Sequence, residues 1–493
     1  MREEKGNGRT EKTVQEYIDE TPFWADGTKT RSAPLTRMQW RIWWLASAGK
    51  FFEGLAVFMT GVALPLIVSE FSLGATEKGM VGAAPLFGIL IGASVLGDLS
   101  DRFGRKRMFI VEMALFTFFL ICLALSPNYP SLLVFLFGLG LALGCDYPTA
   151  HMILSETIPS RDRGRLILSA FGFQALGAMA GAALGYLALY ENPDIGAWRF
   201  MYGAAVLPAL MVLYGRFHIP DSPAWLAARR RIKEAERQTE ILLDREPTYP
   251  ASVTLAYRDS KVKREEKGRM RQLFSRKNRR AAILASVPWF LQDLGTYGIG
   301  IFTPTILASV LGQNIEHARN LADLIRSDML AAKGAAFIDV LLIVGIAAAA
   351  LLVDRIGRIR LQILGFIGCA AGLFLASLSM NAQGGMRMIY LFSGFMLFNF
   401  MTNLGPNAMT YLISGEVFPV HIRGLGAGFA ASFAKVGAVV TAFFFPILLK
   451  DIGAQTLLYI LMGASLIGAA VTFAFRIETR GLNLERLGEG DGE

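Results

Sequence analysis

The stretch Gly97-Asp98-Leu99-Ser100-Asp101-Arg102-Phe103-Gly104-Arg105-Lys106-Arg107 lies between two apolar runs. Its core returns as Asp354-Arg355-Ile356-Gly357-Arg358, again between two apolar runs. A second pair obeys the same rule: Glu156-x-x-Pro159-x-x-x-Arg163-Gly164 and Glu416-x-x-Pro419-x-x-x-Arg423-Gly424. Two patterns that recur in the same order at matching places mark an internal duplication. The apolar runs define the duplicated unit. Twelve can be drawn, near 42–68, 78–97, 108–126, 131–155, 165–190 and 198–216, then 281–310, 332–353, 361–380, 387–414, 424–449 and 455–476. A helix of about 20 such residues crosses a ~30 Å hydrocarbon layer. The expected architecture is an all-α polytopic membrane protein of twelve transmembrane helices in two pseudo-symmetric six-helix halves, 42–216 and 281–476. A tail (1–41), a central loop (217–280) and a second tail (477–493) complete the chain.

Composition agrees. Of 493 residues, 53% are hydrophobic and only 18% charged, with mean hydropathy +0.42; a soluble domain carries about 25% charge. A plain cytosolic enzyme and a disordered chain are both excluded. Cys122, Cys145 and Cys369 are odd in number and lack metal-ligand spacing, so neither a disulfide framework nor a metal site is expected. The first 35 residues read as a polar tail without signal-peptide layout. The net charge of +9 is informative through its placement. About 40 of the 49 Lys and Arg residues fall in the tails and in the loops 98–107, 156–165, 217–280, 354–360 and 415–423, with Arg216 counted among them. That asymmetry puts both termini and the central loop in the cytoplasm. With no Asn-x-Ser/Thr sequon, it fits a multi-pass protein of a plasma (inner) membrane. Arg229-Arg230-Arg231 and the basic run 261–267 read as solvated segments beside anionic lipid rather than a nucleic-acid site. A short surface helix is expected near 224–243.

An ionisable side chain at bilayer depth costs roughly 2.5–3.5 kcal/mol, so each needs a reason. The spans hold Lys50, Glu53, Glu112, Asp146, Asp293, Asp339 and Lys435. Glu112, close to the cytoplasmic end of span 3, reads as reaching water or the basic loop. Lys50 and Glu53, three residues apart, can pair on one helical face. In span 7, Trp289, Asp293 and Tyr297 repeat at i, i+4, i+8 and share a face. Pro288, Gly295, Gly298 and Gly300 weaken that helix and Pro304 can kink it, as in an irregular half-helix lining a cavity. Trp and Tyr alone would suit an interfacial belt; the aspartate between them favours the cavity.

At these residues the chain resembles the major facilitator superfamily. Residues 97–107 match its loop 2–3 signature, and Pro220-Asp221-Ser222-Pro223-Ala224-Trp225-Leu226 is similar to the "PESPRWL" element of sugar porters and their relatives. The likeness covers nearly everything except the tails and much of the central loop. It implies a cytoplasmic gate of salt bridges and helix caps built from Asp101, Arg102, Arg105, Glu156 and Arg163, and from Asp354, Arg355, Arg358, Glu416 and Arg423. Asp101 near a helix N-terminus would gain from the macrodipole, and Arg102, Arg105 and Arg163 offer bidentate partners for Glu156 or Glu416.

Within the superfamily, Trp289-Phe290-Leu291-x-Asp293-x-x-x-Tyr297 is similar to span 7 of the phosphate:proton symporters. Gly144-Cys145-Asp146-Tyr147-Pro148 resembles their "GGDYP", Gly405-Pro406-Asn407 their "GPN", and Ala434-Lys435-Val436-Gly437-Ala438 their "GKxGA". Gln174 stands where their span 5 carries a binding glutamine. The resemblance implies that Tyr147, Gln174, Trp289, Asp293, Tyr297, Asn407 and Lys435 meet the substrate, with Asp146 and Lys435 in proton and charge coupling. Span 1 departs: the family's "FFxDxYD" becomes Phe51-Phe52-Glu53-Gly54-Leu55-Ala56, with one carboxylate shifted by a residue.

The function expected is secondary active symport of a small anion, phosphate or an organic acid, with protons by alternating access. Glu53, Asp146 and Asp293 would carry protons, and no cofactor or metal is expected. A small molecule, protons and the lipid bilayer are the partners of a functional monomer. A sugar or polyol porter remains an alternative, although Leu291-Gln292-Asp293 stands where sugar porters carry a glutamine pair and an asparagine. A non-transporting receptor is a second. Catalysis has no support, since neither a nucleophile elbow nor a G-x-x-x-x-G-K-[ST] loop is present.

Overall fold

The computed structural model describes residues 12–20, 34–96, 103–244, 253–255, 269–310, 321–419 and 422–479. Among them the chain is helical, and the one extended pairing is an isolated bridge between Lys12 and Leu255. Span 1 is Arg37–Phe71, opened by a capping box in which Thr36 accepts from the Gln39 amide and the Gln39 side chain accepts in return. Span 2, Ala75–Ile91, runs into a π-helical turn, Gly92–Leu96. Spans 3, 4 and 6 are Arg105–Ala124, Tyr129–Thr157 and Ala197–Phe217. Span 5 is Arg163–Phe171 followed by Phe173–Glu191, jointed at Gly172. In the second half, spans 7, 8 and 9 are Arg279–Val310, Leu321–Ile356 and Arg358–Leu378. Span 10 is split into Gly385–Leu404 and Pro406–Glu416 by Gly405. A 52-residue run, Arg423–Ala474, is interrupted by the non-helical Gly453 (φ +77°) and supplies spans 11 and 12.

Nine helices among the described residues are long and apolar enough to cross a bilayer, the Leu425–Ala474 run counting once. With its break, and with spans 2 and 7 beside them, the layout is consistent with twelve spans. The surface helix expected near 224–243 is two, Pro223–Ala228 and Ile232–Leu243, separated by Arg230 at φ +62°. The N-terminal region is more than a polar tail. Its helix Val14–Asp19 buries Val14, Tyr17 and Ile18 in one cluster with Ile219, Leu226, Leu242 and Leu255.

Span 7 differs from expectation: it is continuous through Pro288, Gly295, Gly298, Gly300 and Pro304. Two of its glycines serve close packing instead. A Cβ on Gly298 would lie 2.8 Å from Thr441 Oγ1, and one on Gly300 2.7 Å from the Phe58 ring, so they let spans 11 and 1 approach. Neighbouring helices thus hold in place a helix that propensity alone would weaken. The break in regular structure comes in span 10, at Gly405 (φ −117°, ψ −96°).

Spans 1 and 5 cross with their backbones nearly touching. A Cβ on Gly54 would sit 2.0 Å from the Gln174 carbonyl oxygen, and one on Gly177 1.9 Å from that of Phe51. The two halves meet along spans 1 and 7 and along spans 2 and 11. Away from the basic loops, Gly61 abuts Ile301 and Gly79 abuts Phe443. Toward them, Ser94 and Ser432 share a hydrogen bond of 2.9 Å, and Phe171 stacks on Tyr411 with centroids 4.7 Å apart. Contacts between the halves therefore lie on both sides of the centre.

Candidate functional site

At that centre four formal charges come together from spans 1, 7 and 11. Lys50 Nζ donates to Glu53 Oε2 at 2.6 Å, the intrahelical pair expected from the spacing. Glu53 is not confined to its own helix, because its Oε1 accepts from the Tyr297 hydroxyl at 3.2 Å and lies 3.7 Å from Lys435 Nζ. Lys435 donates to the Tyr297 oxygen at 2.6 Å and to Asp293 Oδ2 at 3.3 Å. Gln174 Nε2 donates to the same phenol at 3.4 Å. All of these groups except Gln174 are buried. Two ammonium groups and two carboxylates balance, which is what permits so many charges at this depth.

Beside the network lies a small cavity lined in part by Phe58, Gln174, Thr296, Tyr297, Asn403 and Asn407. It leaves ≈ 20 Å³ for the centre of a water molecule, room for about one water, whereas ligand pockets run to hundreds of Å³. Asn407 donates to Asn403 at 2.7 Å and accepts from Gln292 at 3.2 Å, while Gln292 also donates to Thr296 at 2.7 Å. Asn403, Gln292 and Thr296 escaped the sequence reading of the site. The available signal was the i, i+4 spacing of Asn403 before Asn407 and of Gln292 before Thr296. Trp289 lies apart from the cavity lining, its ring edge-on to Tyr411 with centroids 6.4 Å apart. The side chain of Tyr147 lies outside the described residues. Asp339 is buried and accepts from Asn399 Nδ2 at 2.9 Å.

Asp146 stands in a different pocket from Asp293 and Lys435. Its Oδ1 accepts from Arg216 Nη2 at 2.6 Å, and Arg216 Nη1 reaches Glu112 Oε1 at 3.3 Å. Two expectations change here. Arg216, grouped with the loops, is fully buried, and Glu112, expected to reach water or the basic loop, is 1% exposed. Arg216 sits in the last turn of its span, but that end is packed, and Glu112 lies well inside its own span: the guanidinium lies 3.5 Å over the Phe109 ring and also donates to the Phe109 carbonyl at 2.7 Å.

On the face bearing the basic loops, the duplicated motifs form two copies of one arrangement. Arg105 Nη2 donates to Glu156 Oε1 at 3.1 Å and Ser222 Oγ to Glu156 Oε2 at 2.5 Å, while Asp221 accepts from the Lys106 amide at 3.4 Å. In the other half Arg358 grips Glu416 through Nε at 3.2 Å and Nη2 at 3.3 Å, and Thr479 Oγ1 donates to Glu416 Oε2 at 2.5 Å. Glu478 accepts from the amides of Arg358 at 3.0 Å and Ile359 at 3.2 Å. Gly104 and Gly357 precede the two helices at φ +103° and +98°, a region that favours glycine. The acid–hydroxyl pair Glu478-Thr479 thus repeats Asp221-Ser222, an echo that the sequence hides because the residues around the two pairs differ. Asp354 accepts from Arg358 at 3.1 Å, and Arg355 is exposed. Arg163 donates to Ser160 at 3.4 Å rather than serving Glu156 or Glu416. Asp101, Arg102 and the side chain of Arg423 lie outside the described residues.

A polytopic helical chain with a charge-balanced polar centre between duplicated halves fits a membrane transporter. Residues 42–490 match the sugar (and other) transporter family, and the chain belongs to it. It is 29% identical over 444 residues to the putative metabolite transport protein YaaU of Escherichia coli, covering 90% of this chain and 93% of that one. A probable inorganic phosphate transporter 1-6 of Arabidopsis thaliana is 28% identical, covering 84% of each chain. The niacin transporter NiaP of Acinetobacter baylyi is 26% identical, covering 94% of this chain and 99% of its own. Among solved structures, the partially occluded inward-open form of the xylose transporter XylE from Escherichia coli superposes with a TM-score of 0.72 at 19% identity. It covers 91% of this chain and 100% of its own, a likeness of fold.

Proposed function

We propose that this chain is a proton-coupled symporter of a small anion, phosphate or an organic acid, acting as a monomer in a plasma membrane with both termini cytoplasmic. The observation that carries the reading is the buried network of Lys50, Glu53, Asp293, Tyr297 and Lys435, drawn from both halves beside a small cavity. Lys435 is hydrogen-bonded to Tyr297, which lines that cavity, and supplies the positive charge an anion needs. Gln174, Tyr297 and Asn407 offer neutral hydrogen-bonding groups for its oxygens, joined by Tyr147, with Trp289 and Asp293 completing the contact set. Glu53, Asp293 and Asp146, the last through its neighbourhood to Lys50, are the carboxylates from which the proton carrier is drawn. The halves rock about this centre. Arg105, Glu156, Arg163, Asp354, Arg355, Arg358, Glu416, Arg423, Asp101 and Arg102 act as the cytoplasmic gate.

In proteoliposomes of the purified chain, an inward-acid pH gradient is expected to raise uptake at least tenfold and a protonophore to abolish the increase. Competition by phosphate, organic acids and hexoses in the same assay names the class, and gradient-independent uptake overturns the coupling. A sugar or polyol porter is the second reading, favoured by the amide-rich lining of Gln174, Asn403 and Asn407; competition by hexoses alone would establish it. For the gate, Glu416→Gln is expected to cut uptake about tenfold with the protein still expressed and folded. It replaces a doubly held carboxylate by a neutral amide, and a charged hydrogen bond contributes ≈ 1.5–3 kcal/mol. Unaltered uptake would remove Glu416 from the gate.

A further inference from the structure

We infer that the substrate is an organic monoanion, a single carboxylate on an uncharged body, and that Glu53 is its built-in stand-in, occupying the two lysines until a proton displaces it. The inference rests on the anion-symport reading and deepens it. Glu53 is held on Oε2 by Lys50 at 2.6 Å, and on Oε1 by the Tyr297 hydroxyl at 3.2 Å with Lys435 at 3.7 Å. One carboxylate hydrogen-bonded by an ammonium and a phenol, with a second ammonium 3.7 Å away, on three spans from both halves, is the kind of setting a carboxylate ligand would require. In this structure that carboxylate is the protein's own.

The charge count sets the stoichiometry. Lys50 and Lys435 balance Glu53 and Asp293, so an anion entering with all four ionised would leave one buried negative charge unpaired, a costly state. A proton on Glu53 removes that cost. The Glu53–Lys50 ion pair breaks, Glu53 becomes a neutral acid, and the substrate carboxylate takes its place on Lys50 and Lys435. When the anion leaves, Glu53 gives up the proton and re-forms its pair, so one proton and one negative charge move together and nothing else is consumed. A dianion would demand a second proton, on Asp293. The groups facing this exchange are Tyr297 and Asp293 of span 7, Lys435 of span 11, and Asp146 of span 4, which packs against the Gly49–Lys50 turn, with the charge of Lys50 also acting on His151 of span 4. The body of the substrate is read from the cavity: Phe58, Ala175, Ala178 and Leu342 are apolar, and Gln174, Thr296, Asn403 and Asn407 are neutral. That wall suits an uncharged group with one or two hydrogen-bonding atoms.

The test is calorimetric titration of the full-length protein in detergent with benzoate, inorganic phosphate and glucose. Benzoate is expected to bind with the uptake of one proton per molecule, its affinity rising about tenfold per pH unit as pH falls while Glu53 is ionised in the free protein. Phosphate and glucose are expected to bind at least tenfold more weakly. Glu53→Gln should tighten benzoate about tenfold or more at neutral pH and abolish the proton uptake, and Lys50→Met should weaken it about tenfold. Because Glu53→Gln leaves Lys50 without its carboxylate, Glu53→Asp is the second variant, with a shortened reach and an intermediate gain. Tighter binding of phosphate or glucose than benzoate, binding without proton uptake, or no gain in either Glu53 variant overturns the proposal. The symport reading fails separately, if uptake ignores the pH gradient whatever the Glu53 variants do.

Discussion

Lys435→Met is expected to reduce uptake at least a hundredfold and to lower the thermal midpoint of the detergent-solubilised protein by several degrees. Lys435 is the hub of the central network, touching Asp293 at 3.3 Å, the Tyr297 oxygen at 2.6 Å and Glu53 at 3.7 Å, with its ammonium 4.4 Å over the Tyr297 ring. Methionine keeps most of the volume and removes the charge. Glu53 retains Lys50, but Asp293 loses the cation it touches. Breaking a buried pair from one side typically costs 3–5 kcal/mol, because the partner stays behind uncompensated. Adding Asp293→Asn removes that partner, so the double variant should regain most of the midpoint while remaining inactive. This split separates the two roles of the lysine. If the double variant recovered both midpoint and uptake, Lys435 would be a structural counter-ion only; if Lys435→Met alone transported normally, the centre would lie elsewhere.

What was legible in the sequence follows from the type of signal each residue leaves. Asp293 and Tyr297 lie one helical turn apart, and a carboxylate in an apolar run is costly enough to announce itself; the structure brings both to Lys435. The repeat was legible because its loops need particular residues, glycine at positive φ and arginine against glutamate. Arg216 was not, because a basic residue at the end of an apolar run looks the same whether it leaves the membrane or turns back into the protein. Its acidic partners Glu112 and Asp146 stand on other spans, and nothing along the chain records that the three meet. Span 7 failed in the opposite direction. Its prolines and glycines predict weakness on local grounds, yet with Phe58, Thr441 and Phe445 packed against it the helix runs unbroken and presents Asp293 and Tyr297 together.

Arg216→Met carries the largest expected stability effect outside the central network. The guanidinium joins span 6 to span 1 through the Leu45 carbonyl at 3.4 Å, to span 3 through Phe109 and Glu112, and to span 4 through Asp146. Without it, two carboxylates confront one another in a pocket where Glu112 Oε2 already has no hydrogen-bond partner. At about 4 Å and an effective dielectric constant near 20, like charges repel by about 4 kcal/mol, the same order as the ~3–5 kcal/mol cost of stripping a buried pair. Apolar packing of methionine over Phe109 recovers only part of that. A sharp loss of folded protein is therefore expected, read as a shorter half-life at fixed temperature and a lower midpoint at fixed scan rate. Arg216→Lys should rescue little, since one ammonium cannot reproduce the planar fork that serves both acids and two carbonyls. The decisive comparison is Arg216→Met with Glu112→Gln and Asp146→Asn, in which charge is removed from all three corners. If the triad is a structural brace, the triple variant regains stability and keeps proton-driven uptake. If it regains stability but loses the pH dependence of uptake, Asp146 belongs to the proton path despite its distance from Lys435, and the two pockets are coupled through the Lys50 turn that adjoins them both.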